Sequence, residues 1–292
     1  MTRSVNYDSV ADQFDKRYER SDYGPISRLL LEFAKGPRSG PVLEVGCGTG
    51  HWLAEIAGLK LPCFGLDPSR NMLETAARKQ TGATIIQSVA EALPLADDSS
   101  ARLFCINSFH HFQDKERFVA EAARVIRPGG TILILGLDPH NGLDEWWIYD
   151  YFPQVIEIDK ARYPPTKDIR DMLERHGFTA CRTEVALHMP IRIEARSALE
   201  NGQLDEGATS QTAVLTDGEY HKGMQRLVID IKAAEARGQT LVIGADLRVY
   251  ATIATRAEDL RDNEPALVCI ARFFHGGRLT GPHYSTSDMP RI

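Results

Sequence analysis

The chain has 292 residues, 43% hydrophobic and 25% charged, with a formal net charge of −6. That balance suits a large folded domain with additions and argues against a disordered chain or one whose main work is gripping nucleic-acid phosphate. The five cysteines, Cys47, Cys63, Cys105, Cys181 and Cys269, form no C-x-x-C pair, which points to reduced thiols and offers no zinc spacing, so no metal is expected.

Residues 1–18 are polar and of mixed charge, without the apolar run of a secretion signal. No stretch approaches the roughly 20 apolar residues that span a bilayer. The expected location is cytoplasmic, without membrane insertion. Residues 5–18 and 26–34 read as two helices. From about residue 40 to 137, short apolar runs at 42–45, 63–66, 84–87, 103–106 and 131–135 alternate with helix-like segments at 71–79 and 114–126. Runs rich in Val, Ile and Leu without alternation suit strands buried on both faces of a parallel sheet. Phe118, Ala122, Val125 and Ile126 share one helical face, and Pro128-Gly129-Gly130 stops that helix. The pattern predicts a doubly wound α/β fold.

Beyond it, residues 138–163 are rich in Trp and Tyr without a clear period. Thr166 is expected to cap a helix ending at His176, with Gly177 just past it, and 178–189 reads as a strand. Residues 196–215 look loop-like. Thr216 and Glu219 then fit a capping box, ahead of a Tyr220, Met224, Leu227, Val228, Ile231 stripe that Gly238 closes. Residues 240–254 read as strand, and the chain ends in a Gly, Ser and Pro-rich tail. The expected organisation is 1–39, helices over the site; 40–190, the core, with an aromatic lid at 138–163; 191–238, a helical insertion; 239–258, the final strand; and 259–292, an extension.

The chemistry is concentrated after the first core strand, in Leu43-Glu44-Val45-Gly46-Cys47-Gly48-Thr49-Gly50. Closely spaced glycines let backbone turn sharply and approach a ligand, and the following helix offers free N–H groups; a bare glycine cluster is also a common turn. The second element is Gly65-Leu66-Asp67-Pro68-Ser69, where a carboxylate past the second strand can accept ribose hydroxyls. Asp67 or Ser69 would equally serve as a helix N-cap, and the two readings are compatible.

These stretches, followed in order by Ala90-Glu91-Ala92-Leu93-Pro94-Leu95 and Arg124-Val125-Ile126-Arg127-Pro128-Gly129-Gly130, and preceded by Tyr7-Asp8-Ser9-Val10-Ala11, resemble the class I S-adenosylmethionine (SAM)-dependent methyltransferases. The resemblance is to the small-molecule branch with a type 11 methyltransferase domain, which includes the ubiquinone and menaquinone biosynthesis enzymes. It covers about residues 7–137 and implies a mostly parallel, seven-stranded, Rossmann-like sheet with N-terminal helices and a helical insertion before the last strand. It also implies SAM as cofactor, S-adenosylhomocysteine as product and a small-molecule methyl acceptor.

Residue by residue, the resemblance sets Glu44 near the methionine amino group, Gly46, Cys47, Gly48 and Gly50 along the methionine and ribose, and Asp67 on the ribose diol. Pro68, Ser69 and Met72 would flank the adenine, Ala90 and Glu91 would border its edge, Asn107 and Ser108 would lie under the sulfonium, and Tyr7 would join the cofactor site. Val89 stands where many relatives carry an acidic residue, leaving adenine recognition to backbone groups or Glu91.

His111, then His110, are the candidate bases, because they follow the fourth strand at its carboxyl end; a histidine there can also simply cap or pack. Phe14, Tyr18, Trp146, Trp147 and Tyr149 are the expected lid over the acceptor, with core filling as the plain alternative. His140 and His221 read as structural, and Arg226 as solvated or facing an acidic acceptor. Two other readings stand beside methyl transfer. A SAM-binding regulator or non-methylating enzyme would have the same core. A nicotinamide oxidoreductase would need Gly-x-Gly-x-x-Gly, which is absent here. No Asn-Pro-Pro-Tyr run points to a DNA amino-methylating enzyme, so no nucleic-acid partner is expected. The sequence sets neither the acceptor atom nor an oligomeric state.

Overall fold

The computed structural model describes residues 14, 15, 18, 22–37, 39–206 and 209–258. Tyr7, most of the expected first helix, Cys269 and the tail from residue 259 lie outside the described residues. The elements are α1 (Gly24–Lys35), β1 (Val42–Val45), α2 (His51–Ile56), β2 (Cys63–Asp67), α3 (Arg70–Arg78), β3 (Thr84–Gln87), β4 (Ser100–Ile106) and α4 (Lys115–Val125). They continue with β5 (Ile126–Gly136), β6 (Glu145–Trp146), α5 (Trp147–Tyr151), α6 (Gln154–Arg162), α7 (Thr166–Arg175), β7 (Phe178–Glu194), α8 (Ala195–Glu200), α9 (Asp217–Ala236) and β8 (Val242–Arg256).

The strands β3, β2, β1, β4 and β5 lie side by side in that order, all parallel, and β8 adds antiparallel to β5. Every residue of β1 and β4 is buried, as expected of strands covered on both faces. One face packs Leu43, Leu103 and Ile132 against Phe118 and Ala122 of α4 and Leu173 of α7. The other packs Val42, Phe104 and Leu133 against Ile26 and Leu30 of α1 and Trp52 and Ile56 of α2. The chain winds outward from β1 in both directions, so a crevice opens at the carboxyl ends of β1 and β4, where such sheets hold ligands.

Eight strands are present among the described residues, where seven were expected. β8 pairs β5 only over Tyr250–Thr255, while β7 accompanies β8 from Val242 to Arg256. The early part of β8 therefore keeps an open edge, and Glu145 and Trp146 fill part of it as β6, opposite Asp246 and Ala245. The same long pairing carries β7 to Glu194, past the expected end at residue 189.

The projecting end of the β7–β8 pair supports a second core. Trp147, Ile148 and Phe152 meet Ala195, Ala198, Leu227, Ile231 and Ile243 there. The stretch 196–215, expected as loop, contributes α8 to this core, because Ala195 and Ala198 bury on it, and it also buries Gln211 and Thr212. The capping box at Thr216 is present in full. Thr166 is not the cap of α7. Pro165 holds that position, and the Thr166 amide and hydroxyl both donate to Asp138 Oδ2 at 2.9 Å, so a side chain from the end of β5 serves the first turn instead. No helix among the described residues is long and apolar enough to cross a membrane.

Candidate active site

The loop after β1 is held against β2 by its own backbone: Gly46 and Cys47 donate to the Leu66 carbonyl at 2.7 and 2.9 Å. Gly46 takes φ +74°, and a Cβ there would lie 2.4 Å from Ser108 Cβ, so only glycine lets this loop pass the end of β4. Asp67 ends β2 with both carboxylate oxygens engaged, Oδ2 accepting from Gly48 N and Oδ1 from Ser69 N, each at 2.9 Å. One side chain thus ties the glycine loop to the turn into α3, and Ser69 caps that helix by accepting from Met72 N at 3.2 Å.

Above these residues lies a cavity of about 650 Å³, within the ~300–1,000 Å³ usual for small-molecule sites. Glu44, Gly46, Cys47, Gly48, Asp67, Pro68, Ser69, Met72, Ala90, Glu91, Asn107, Ser108 and His111 all line it, as do Phe14 and Tyr18. Gly50 does not. It adopts a left-handed conformation as N-cap of α2, and a Cβ there would come 3.0 Å from Ala76 Cβ, so its smallness serves the packing of α2 on α3.

Glu44 is 1% exposed, and its Oε2 has no hydrogen-bond partner among the described residues. Burial pushes its carboxyl well above the usual carboxylate range; the Asp67 charge adds to this and Lys79 opposes it. A buried carboxyl group with an unpartnered oxygen on the wall of a cavity is suited to receive a cationic N–H group. Burial also pushes the Cys47 thiol up, which leaves it unreactive.

Ser108 donates to the Val45 carbonyl at 3.0 Å, fastening the end of β4 to β1, and Asn107 bends the chain with φ +51°. A short 3-10 turn, Phe109–His111, follows. His111 faces the cavity. His110 points away, buried, with Nε2 3.0 Å from the Tyr163 hydroxyl. Glu91 lines the cavity and also accepts from the amides of Gln113 and Asp114 at 2.8 and 3.2 Å, so part of its capacity goes to the turn before α4. Val89 sits at the rim, half exposed.

The N-terminal side is closed by rings. Tyr18 stacks on His51 at 3.5 Å and meets Tyr23 and Trp52 edge-on at 5.4 and 5.6 Å. Asp15 accepts from Thr49 Oγ1 at 2.5 Å and pairs with Lys79 Nζ at 2.7 Å, anchoring this segment to the glycine loop and to α3.

The structure places Trp146, Trp147 and Tyr149 away from this cavity. The first two border a separate cavity of about 330 Å³ together with Arg226 and Asp230, and all three belong to or pack on the second core. Their segment pairs with β8 and packs on the insertion, and that geometry draws it from the cavity wall. His140 Nε2 sits on the Lys160 and Tyr163 carbonyls at 3.0 and 2.9 Å, and His221 Nδ1 on the Asp217 carbonyl at 2.7 Å. Tyr23, Trp52, Phe112, Gln113 and Asp114 line the cavity without having been singled out. Trp52 follows Gly50 by two residues, close enough to have been suspected. Asp114 also caps α4, accepting from Arg117 N at 2.8 Å.

Residues 43–134 match the model of the methyltransferase domain family. The strand order and the cavity at the ends of β1 and β4 accord with the class I methyltransferase fold that these residues resemble. The match favours the methyltransferase reading over the nicotinamide one. Among curated proteins, the chain is 37% identical over 113 residues to methyltransferase GfsG of Streptomyces halstedii, covering 36% of this chain and 40% of that one. It is 35% identical over 189 residues to the malonyl-[acyl-carrier protein] O-methyltransferase of Methylococcus capsulatus, covering 62% of this chain and 64% of that one. The matches thus span less than two thirds of these relatives. The fold superposes on the solved structure of the YcgJ protein of Bacillus subtilis with a TM-score of 0.55 at 18% identity, covering 82% of this chain and 100% of the other.

Proposed function

We propose that the chain transfers a methyl group from SAM to a small-molecule acceptor. The observation that carries this reading is the pairing, in one cavity, of a buried carboxyl group with an unpartnered oxygen, Glu44, with a backbone-braced carboxylate, Asp67. Glu44 would accept from the methionine ammonium. Asp67, its orientation set by Gly48 and Ser69, would use remaining lone pairs for the ribose hydroxyls. Pro68, Met72 and Ala90 offer an apolar slot for the adenine, and Asn107 and Ser108 line the floor. SAM, when bound, supplies a methyl group on a positively charged sulfur.

The protein's share is then to orient the two reactants and exclude water. Positioning alone is worth up to about 7–11 kcal/mol in well-aligned systems. Phe14, Tyr18, Tyr23, Trp52 and Phe112 supply the dry wall, and His111 is placed to hold a proton released by the acceptor.

Calorimetry with S-adenosylhomocysteine and with NAD tests the site. Binding of the first and not the second is expected, and the reverse would overturn the proposal. Incubation with SAM and a panel of hydroxylated, amino and carbon-acid small molecules, read as S-adenosylhomocysteine formed, then separates methyl transfer from SAM binding without transfer.

A further inference from the structure

β8 is paired with β7 on one side along its length, while its other side changes partner as the strand leaves the sheet. Ala195, which follows β7, donates its N–H to the Leu241 carbonyl at 2.9 Å. By the alternation of an antiparallel strand, the N–H and C=O of Val242, Gly244, Asp246 and Arg248 then point the other way. Along that edge, Arg248 N donates to Asp144 Oδ1 at 2.9 Å, and Asp246 faces Glu145 of β6. β6 ends where Trp147 starts α5. Gly244 and Val242 are left on a stretch of edge that no described strand pairs, and the cavity of about 330 Å³ lies along it. Six consecutive residues, 241–246, line this cavity. A slot beside a strand edge meets successive residues in this way, whereas a pocket over one sheet face meets every second one.

Charges of both signs converge on the slot. Arg192 of β7 is the cross-strand partner of Gly244. A Cβ on Gly244 would lie 3.3 Å from Arg192 Cδ and 2.7 Å from the Ile191 carbonyl oxygen, so glycine there lets the arginine stem lie over β8. On the opposite wall, Arg226 of α9 sits 5.7 Å over the Tyr151 ring. It spends two long contacts, 3.3 and 3.5 Å, on the Asp150 and Tyr151 carbonyls, out of the five N–H donors of a guanidinium. One turn further along α9, Asp230 accepts from the Tyr151 hydroxyl at 3.0 Å and keeps further lone pairs. Glu145 and Asp150 add carboxylates, while Asp246 is already paired with His188 at 2.6 Å and Arg248 at 3.1 Å. The carboxylates would repel a polyanion such as a nucleotide, and the two guanidinium groups would repel a simple organic cation. A ligand with one charge of each sign and an amide between them satisfies the arginines, the acids and the strand edge together.

We propose that this slot binds a free peptide of two or three residues, both termini charged, as an added strand beside Val242 and Gly244. Residues 242–244 offer the length that such a peptide needs, at about 3.4 Å per residue. The peptide carboxylate lies on Arg192 and Arg226, its ammonium on Asp230, and a side chain against Trp147 and Tyr151. The lining residues are all distinct from those of the cavity at the ends of β1 and β4, so peptide binding here does not depend on the methyl-transfer reading.

Backbone ¹H–¹⁵N spectra of the full chain, titrated with alanyl-phenylalanine, alanyl-leucine and trialanine, test the site. At least one of these probes is expected to bind in the millimolar range or tighter and to shift the Val242 and Gly244 amides. N-acetyl-alanyl-phenylalanine amide, which lacks both terminal charges, and free phenylalanine, which lacks the internal amide, are each expected to bind about tenfold more weakly or worse. Arg226→Gln and Asp230→Asn are each expected to weaken the peptide by about tenfold, with thermal melts showing that the variants remain folded. Should either fail to fold, Arg192→Gln on β7 takes its place with the same expectation. No shift at Val242 and Gly244 with any of the three probes, equal binding of the blocked dipeptide, or unchanged affinity in a folded variant overturns the proposal.

Discussion

Asp67 and Glu44 do different work although both are acids on one wall. Asp67 is structural and cavity-facing at once: Gly48 N and Ser69 N donate to it, and it lines the cavity. Asp67→Ala should cost about 1–3 kcal/mol of stability, because two amides lose a charged acceptor, and should weaken S-adenosylhomocysteine by tenfold or more. Denaturant melts and calorimetry check the two effects separately. Glu44 has the opposite character: its Oε2 has no hydrogen-bond partner among the described residues, and burial raises its carboxyl. From about pH 4.3, the ordinary value in the unfolded chain, up to the raised folded value, the native state keeps a proton that the unfolded state has lost. Stability of the ligand-free protein must then fall as pH rises through that window. Glu44→Gln should remove this component of the slope and, at neutral pH, melt higher than the parent without ligand while binding S-adenosylhomocysteine more weakly. Thermal melts against pH, with and without ligand, decide it; a parent and variant with parallel pH profiles would contradict the assignment.

At the scale of elements, the features readable in advance are those whose cause is local. The capping box at the start of α9 closes within four residues, Thr216 Oγ1 accepting from Glu219 N and Glu219 Oε2 accepting from Thr216 N. Thr216→Ala should lower stability by about 0.5–2 kcal/mol. Because α9 lies on the second core and not on the cavity, S-adenosylhomocysteine affinity should not change. The N-terminus of α7 shows the contrast. Thr166 looked like a cap, yet Pro165 precedes it and Asp138, 28 residues earlier, takes its amide and hydroxyl. The glycine loop joins both cases. Its sharp turn was legible from three glycines, but that Gly46 faces Ser108 while Gly50 faces Ala76 depends on which element each approaches.

For the whole molecule, the cavity side and the second core are built on different parts of the sheet. The parallel strands and the start of the β5–β8 pair carry the cavity. The projecting half of β7 and β8 carries α5, α8 and α9. Leu227, fully buried in the second core, should cost about 2–5 kcal/mol when replaced by Ala. If the two regions are as independent as their packing, that variant keeps its affinity for S-adenosylhomocysteine at temperatures where it remains folded; a parallel loss of affinity would show that the second core props up the cavity. A polar link runs from Gln211, in the stretch between α8 and α9, through Tyr163 to His110.

What the sequence determined alone was the α/β alternation, the glycine turn, Asp67 at the end of its strand and the histidine pair, because each follows from short-range backbone chemistry or from the periodicity of burial. What the tertiary structure decided was which of those groups share a space. The aromatic run at 146–152 is equally suited to covering a ligand or filling a core, since ring area is favourable in either place. The extra length of β7 and β8, and the edge it leaves open for β6, drew that run into the second core. His110 and His111 are adjacent and chemically identical in the sequence; a turn of three residues sends one into the cavity and the other under Tyr163, and only the fold could separate them.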